Sequence, residues 1–140
     1  MTSERKQSGS CLCGAVRFEV TGPMRDVLIC HCKQCRKQHG HAAAFTSAPA
    51  ENFRFMEERG LAWHRSSQEA ERGFCRECGS SLFWRRVGAA TLSVTAGSLE
   101  QPTGLHCAAH LFTAFKGDYY ELPEDGVERH AAWMPQRLPS

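Results

Sequence analysis

The chain has 140 residues with a formal net charge of +2 at pH 7, and eight of its residues are cysteine. This length is typical of one domain, and so small a net charge gives little reason to expect nucleic acid binding, which usually appears as a strongly basic domain. The polar N-terminus predicts no signal peptide, and no apolar stretch is long enough to span a membrane, so we expect a cytoplasmic protein without membrane attachment.

Composition divides the chain into a polar lead, one domain and a polar tail. We expect residues 1–8 to be a disordered lead, residues 9–123 to form a single zinc-binding β domain, and residues 124–140 to be a C-terminal tail. A reducing cytoplasm disfavours disulfides, so the clustered cysteines of this domain predict metal binding instead.

Strand patterns dominate the domain. Apolar residues at every second position predict a half-buried strand over 15–21, and residues 33–39 fit one or two helical turns that end at Gly40. Alternation in a later strand places Leu82 and Trp84 on one face. Further strands are predicted over 26–30, 42–46, 52–56, 61–65, 81–85, 91–95 and 110–115, with a loop over 66–72. The sequence therefore predicts a mainly β fold with a short helical segment.

Three cysteines, Cys30, Cys32 and Cys35, lie within six consecutive residues. In an extended segment Cys30 and Cys32 point to the same face, and a turn over C-x-x-C brings Cys35 back to them. A pocket of soft thiolates suits zinc best among the common ions. Structural zinc usually has four protein ligands, whereas catalytic zinc has three and an open position. Three clustered cysteines therefore indicate a catalytic zinc centre.

Four other cysteines form two short motifs that are far apart in the chain. Cys11 and Cys13, like Cys75 and Cys78, are followed by glycine and then by an alternating strand. Two such motifs that hold one ion make a closed structural zinc site. We therefore expect two zinc ions per chain.

Other candidate ligands fit less well. Cys107 could close a second structural site, but it lies alone, and isolated cysteine commonly behaves as a small apolar residue. His31 falls on the opposite face from Cys30 and Cys32, so we expect a neighbour of the metal rather than a ligand. His106 and His110 are four residues apart, but they lie in a strand-like stretch, where that spacing does not bring them together.

Charged residues after the central cysteines are candidates for substrate binding. Arg36 directly follows Cys35, and its planar guanidinium can bind a carboxylate through two hydrogen bonds. His39 and His41 flank Gly40, and either could carry a proton near neutral pH or lie on the surface without a role. We predict Arg36 and His39 as substrate-binding residues.

Three motifs together resemble one known family. They are GSCLCGAVRF over 9–18, CHCKQCR over 30–36 and GFCRECG over 73–79, and they resemble the glutathione-dependent formaldehyde-activating enzymes, whose domain centromere protein V shares. The resemblance implies an Mss4-like, zinc-bearing antiparallel β-tent. It also implies two metal sites with separate roles. The structural zinc would be held by Cys11, Cys13, Cys75 and Cys78, and the catalytic zinc by Cys30, Cys32 and Cys35.

The same resemblance implies a carbon–sulfur lyase that joins glutathione to formaldehyde and forms S-hydroxymethylglutathione. Zinc could act by holding the glutathione thiol as a thiolate or by polarising the aldehyde oxygen. The competing hypothesis is a zinc-stabilised binding module in which both metal sites are purely structural. An open position at the central zinc favours the enzyme, because a module has no use for it. The sequence leaves the oligomeric state open.

Overall fold

The structure is a computed structural model that describes residues 5–133. Its fold is mainly β, as predicted, and the described residues form eleven strands and a single α-helix. The strands are β1 (Lys6–Ser10), β2 (Arg17–Thr21), β3 (Val27–Cys30), β4 (Ala43–Pro49), β5 (Phe53–Glu57), β6 (Leu61–Arg65), β7 (Ala70–Cys75), β8 (Ser81–Arg86), β9 (Thr91–Thr95), β10 (Cys107–Leu111) and β11 (Glu128–Arg129). The helix α1 spans Lys33–His39. Within the described part of the chain, no helix has the length and apolar character needed to cross a membrane.

The strands form two sheets. β1, β2 and β5 make a three-stranded antiparallel sheet, and the other strands make a larger sheet in the order β11-β10-β3-β4-β9-β8-β7-β6. Pairing in the larger sheet is antiparallel except at β10, which lies parallel to both β3 and β11. Parallel neighbours cannot be joined by a tight hairpin, and β10 indeed reaches β3 from a distant part of the chain. The antiparallel β-tent that the resemblance implied is therefore present, with one parallel edge.

The main core lies between the two sheets. Phe18 of β2 packs edge-on against Phe83 of β8 with 5.2 Å between the ring centroids, and Phe53 and Phe55 of β5 complete the aromatic cluster. Phe18 and Phe83 are each only 1% exposed. Truncating a fully buried phenylalanine typically costs about 3–5 kcal/mol, so these few rings account for much of the attraction between the sheets.

Helix α1 forms where the sequence predicts it. Cys32 has an extended backbone and caps the helix, because its sulfur accepts the N–H of Cys35 at 3.3 Å. Gly40 follows the helix with a φ of 80° and donates its N–H to the carbonyl of Arg36. That left-handed conformation is readily available to glycine alone among common residues. Cys35 is the one fully buried residue of α1, so only a narrow strip of the helix surface packs against the sheet.

The predicted disordered lead over 1–8 needs correction from Lys6 onward. Residues 6–8 belong to β1, which pairs with β2 along its whole length. Gln7 is buried, and its amide donates to the carbonyl of Glu100. A polar side chain can be buried when its hydrogen bonds are satisfied, which is why composition alone was misleading. Residues 1–4 lie outside the described residues.

Two other predicted boundaries also differ. The loop predicted over 66–72 ends at Ala70, where β7 begins. The strand predicted over 110–115 begins earlier, at Cys107, and ends at Leu111. It ends there because Phe112 has a φ of 55°, which is incompatible with a continuing strand.

Part of the predicted tail packs against the domain. Glu128 and Arg129 form β11 beside β10, and the N–H of His130 donates to the carbonyl of His110. This pairing covers the edge of the larger sheet, which would otherwise expose unpaired backbone groups. Residues 134–140 of the predicted tail lie outside the described residues.

Candidate metal centres

Four cysteines from two hairpin turns meet where the sheets come together. Cys11 and Cys13 lie between β1 and β2, while Cys75 ends β7 and Cys78 lies in the turn before β8. Their sulfurs all lie within 4.8 Å of one another, with 3.7 Å from Cys11 to Cys13 and 3.8 Å from Cys13 to Cys75. A tetrahedral ion with Zn–S bonds of about 2.3 Å holds its sulfurs about 3.8 Å apart. The four sulfurs, which we call the four-cysteine group, therefore fit a closed metal site.

Hydrogen bonds at Cys78 and Cys11 lower the pKa of these two thiols and favour thiolates, the form that binds metal, whereas the neighbouring cysteines help to raise the pKa of Cys13 to about 12. The Ser80 hydroxyl lies 3.0 Å from the sulfur of Cys78 and is the main cause that lowers the pKa of Cys78 to about 5. The backbone N–H of Val16 donates to the sulfur of Cys11 at 3.3 Å. Cys11 and Cys75 are also buried in the main core. Cys13 is exposed and Cys78 half-buried, so the group links the main core to the surface.

A second cluster, the three-cysteine group, lies at the start of the helix. Cys30 ends β3, Cys32 caps α1 and Cys35 lies in its first turn, and the three sulfurs are within 4.8 Å of one another. No histidine, aspartate, glutamate or further cysteine among residues 5–133 joins them. Cys107 is not part of the group, and its sulfur faces the carbonyl of Ala109 at 3.8 Å. Three protein donors leave a fourth position for a water or a substrate.

The three-cysteine group favours binding of a soft cation. Contacts with Cys30 and Cys35, together with backbone N–H groups at the start of α1, lower the pKa of Cys32 to about 2. The contact with Cys32 raises the pKa of Cys30. These contacts favour the thiolate form at Cys32 over that at Cys30. When a metal ion binds, all three thiols lose their protons, and the cation replaces the hydrogen bonds between the sulfurs.

Arg72 is a buried cation beside the three-cysteine group, and the sequence analysis missed it. One terminal nitrogen of its guanidinium lies 3.7 Å from the sulfur of Cys35, and the other lies 3.4 Å from Nε2 of His39. The side chain is only 5% exposed, and its Nε has no hydrogen-bond partner among the described residues. Three thiolates on a divalent cation carry a net charge of −1, which this guanidinium offsets. The sequence could have indicated Arg72 only if 70–72 had been predicted as a strand, which places Ala70 and Arg72 on the same face. The sequence analysis instead predicted a loop there.

Strand β7 contributes one residue at each cysteine group, from opposite faces of the strand. Cys75 packs into the main core with the four-cysteine group, whereas Arg72 reaches Cys35 on the side of α1. Residues three apart in a strand point to opposite faces. The two faces of β7 therefore contribute residues at different cysteine groups.

The predicted substrate-binding residues lie on the helix. Arg36 is half-buried, and its Nε has no hydrogen-bond partner among the described residues. His39 is also half-buried, and burial, followed by the charge of Arg72, lowers its pKa. His41 is exposed, and its Nδ1 lies 2.7 Å from the hydroxyl of Tyr119. Arg36 thus has a buried donor next to Cys35 in the chain, and the lowered pKa favours the neutral form of His39.

A chain of hydrogen bonds that the sequence analysis did not foresee starts between Cys30 and Cys32. Nδ1 of His31 lies 2.6 Å from the hydroxyl of Tyr120, and Nε2 of His31 lies 2.9 Å from Nδ1 of His110. Nε2 of His110 lies 2.8 Å from a carboxylate oxygen of Asp125.

Every ring nitrogen of His31 and His110 in this chain has a hydrogen-bond partner within the protein. The bonds orient Tyr120 beside the group. They join parts of the sequence that share no motif, which is why sequence alone could not show them.

Two surface grooves lie near residues of the cysteine groups. The larger has a volume of about 640 Å³ and is lined by Cys11, His39 and several serines. The smaller has a volume of about 350 Å³ and lies between α1 and the β6–β7 edge, with Arg72 in its wall. The larger groove is therefore related to the three-cysteine group through His39, and the smaller one through Arg72, which contacts both Cys35 and His39.

Comparisons with known proteins agree with this site. The family described as glutathione-dependent formaldehyde-activating enzyme matches residues 6–115. An uncharacterized lyase of Schizosaccharomyces pombe is 30% identical over 79 residues, a match that covers 54% of this chain and about half, 55%, of that protein. A crystal structure of a Rhodobacter sphaeroides protein superposes with a TM-score of 0.57 at 28% identity, covering 69% of this chain and 89% of that one. The family match spans most of the chain and all of its clustered cysteines, so the chain belongs to the glutathione-dependent formaldehyde-activating enzyme family.

Proposed function

We propose that this protein is a zinc-dependent carbon–sulfur lyase that forms and cleaves S-hydroxymethylglutathione, the adduct of glutathione and formaldehyde. The observation that carries the proposal is the three-cysteine group, whose fourth coordination position receives no donor from residues 5–133. Membership of the family supports the same chemistry, and the name of the yeast relative supports the lyase class.

Two zinc ions per chain complete the proposed enzyme, one in each cysteine group. When bound to three thiolates, zinc would either lower the pKa of the substrate thiol or polarise the aldehyde oxygen. All eight cysteines are free thiols, and thiols stay reduced in the cytoplasm, where we place the protein.

Residues of the chain around the three-cysteine group bind and orient the substrate. The N–H of Cys35 holds the sulfur of Cys32 in place, and Arg72 offsets the negative charge of the three thiolates. Arg36 directly follows Cys35, and its guanidinium suits a carboxylate of glutathione. His39 is neutral at pH 7 and lines the larger groove, where it can hydrogen-bond to the adduct. Cys30, Cys32 and Cys35 are thus the proposed catalytic metal ligands, with Arg36 and His39 as substrate-binding residues.

A binding module with two structural zinc sites is the competing function. Exposed aromatic side chains near the end of the described chain favour it, since Phe115 and Trp133 are about half exposed. Such residues are enriched in protein interfaces. The two functions differ in what they require of the central centre, because only the lyase needs it to accept a thiol.

Exchange NMR at equilibrium tests the lyase directly. In a mixture of glutathione, formaldehyde and their adduct, the zinc-loaded protein should raise the exchange rate above the uncatalysed baseline. Cys35→Ser should return the rate to that baseline. Arg36→Ala should mainly weaken glutathione binding, while Arg54→Ala, which removes an exposed arginine from β5, should change nothing. No exchange above baseline and no glutathione binding by the wild type would refute the lyase and favour the module.

A further inference from the structure

The residue between two cysteines of the three-cysteine group is held at both of its ring nitrogens. His31 lies between Cys30 and Cys32 and is only 3% exposed. Its Nδ1 lies 2.6 Å from the hydroxyl of Tyr120, and its Nε2 lies 2.9 Å from Nδ1 of His110, which is 2% exposed. A buried polar atom that loses its partner is costly. These two bonds therefore hold the imidazole of His31 in one orientation.

With both histidines neutral, one arrangement of protons satisfies every bond in this chain. Asp125 is ionised at pH 7, since its hydrogen bond with His110 lowers its pKa, and a carboxylate can only accept. Nε2 of His110 then donates to Asp125, and Nδ1 of His110 accepts the proton on Nε2 of His31. Nδ1 of His31 accepts the hydroxyl proton of Tyr120. The donors thus follow one another from Tyr120 to Asp125, and no ring nitrogen is left unpaired.

The main chain of His31 is held by the same strand as its side chain. Its N–H donates to the carbonyl of Leu111 at 3.0 Å, next to His110 in β10. Cys30 ends β3, and Cys32 has an extended backbone. Neighbouring side chains of an extended segment point to opposite faces. Fixing His31 on one face therefore fixes the direction of both sulfurs on the other.

Both ends of the chain are anchored by contacts of their own. The ammonium of Lys116 donates to the carbonyl of Tyr120 and lies 5.1 Å from the centroid of its ring. The N–H of Val127 donates to a carboxylate oxygen of Asp125 at 3.2 Å. Tyr120 and Asp125 are thus held in place independently of His31, so they can restrain its ring.

We propose that His31, His110 and Tyr120 are positioning residues that hold Cys30 and Cys32 in the geometry required by the second metal ion. They act through the C-x-C segment and not as ligands. This inference rests on the proposed function in one respect, the presence of that ion, and it does not depend on the substrate. Replacing residues that orient metal ligands typically lowers metal affinity by about 10–100-fold.

Competition with a chromophoric zinc chelator tests the proposal on the zinc-loaded protein. Cys35→Ser, which should retain only the ion of the four-cysteine group, supplies the release curve of that site. Tyr120→Phe removes one hydroxyl and keeps the ring, so the second zinc should be released about tenfold more readily while the first is unaffected. Tyr119→Phe is the matched control, because its hydroxyl bonds to His41, and it should change neither site.

Variants of His110 separate positioning from packing. His110→Leu keeps a buried apolar side chain but leaves Nε2 of His31 unpaired, and it should weaken the second zinc by about tenfold or more. His110→Asn supplies an acceptor oxygen in place of Nδ1 and should recover part of that affinity. Urea unfolding shows whether each variant keeps its fold, and Tyr120→Phe decides the question if a variant of buried His110 does not fold.

The outcomes separate this inference from the function on which it rests. An unchanged affinity for the second zinc in Tyr120→Phe and His110→Leu, or an equal loss of both ions, would overturn the positioning role. A wild type that binds two zincs but does not exchange the glutathione adduct would refute the lyase and leave the positioning role standing. A wild type with a single zinc would refute both.

Discussion

Replacing one sulfur in each cysteine group should separate a structural metal centre from a functional one. Cys78→Ser removes a ligand from the group that joins the two hairpin turns across the main core. A structural zinc ion contributes about 10–16 kcal/mol of apparent binding free energy in small domains. That is as large as the whole free energy of unfolding of a typical domain, about 5–15 kcal/mol. We therefore expect Cys78→Ser to be largely unfolded.

Cys35→Ser should have a far smaller effect on folding. Cys35 packs in a minor cluster with Ala43 and Phe45, away from the aromatic core between the sheets. The substitution buries a hydroxyl in place of a thiol, for which we expect a loss of about 1–3 kcal/mol. The variant should remain folded with its four-cysteine group loaded, and it should lose or weaken the second zinc.

Metal analysis and urea unfolding of the two variants provide the assay. Cys107→Ser is the matched control, because Cys107 is half-buried but belongs to neither group, and it should keep two zincs and near wild-type stability. Equal unfolding by Cys78→Ser and Cys35→Ser would show that both centres are structural. The argument for an open catalytic position would then be wrong.

Three further predictions concern packing and pH. Gly60→Ala should lower the free energy of unfolding by about 1–3 kcal/mol, because its Cβ would lie 2.8 Å from a sulfur of the four-cysteine group; Gly97→Ala, with no neighbour within 4 Å, should not. Thermal unfolding compares them, and equal melting temperatures would contradict the close contact. Phe83→Ala should cost about 3–5 kcal/mol in urea unfolding, whereas Phe115→Ala, at a position 55% exposed, should cost about 0.5 kcal/mol or less. Burial and a neighbouring guanidinium lower the pKa of His39 below 6.5, so the unfolded chain takes up this proton first and stability should fall as the pH drops below 6.5. His39→Gln should flatten that part of the urea-unfolding pH profile, and an unchanged profile would argue against the shift.

Local patterns in the sequence determined the parts of the molecule that depend on neighbouring residues. The helix over 33–39 was predictable because its capping residue and its terminal Gly40 both lie within the segment. The strands over 61–65 and 91–95 agree with the structure residue for residue, and the second is evident from the alternation of Leu92 and Val94. The cysteines were grouped correctly because two short motifs with the same turn chemistry can be recognised wherever they occur.

The tertiary structure decided the features that depend on distant contacts. Alternation placed Leu82 and Trp84 on one face, but a bulge against β7 instead buries Leu82 and Phe83 together. Arg72 lies 37 positions from Cys35 and meets it only because β7 passes beneath α1.

The chain from Tyr120 through His31 to Asp125 likewise exists only because β3 and β10 are neighbours in the sheet. Each of these contacts joins residues that are far apart in the sequence. The residues next to either one do not indicate which partner it will meet. Spacing therefore predicted the two cysteine groups that could hold metal, whereas the residues that surround them were set by the packing of the sheets.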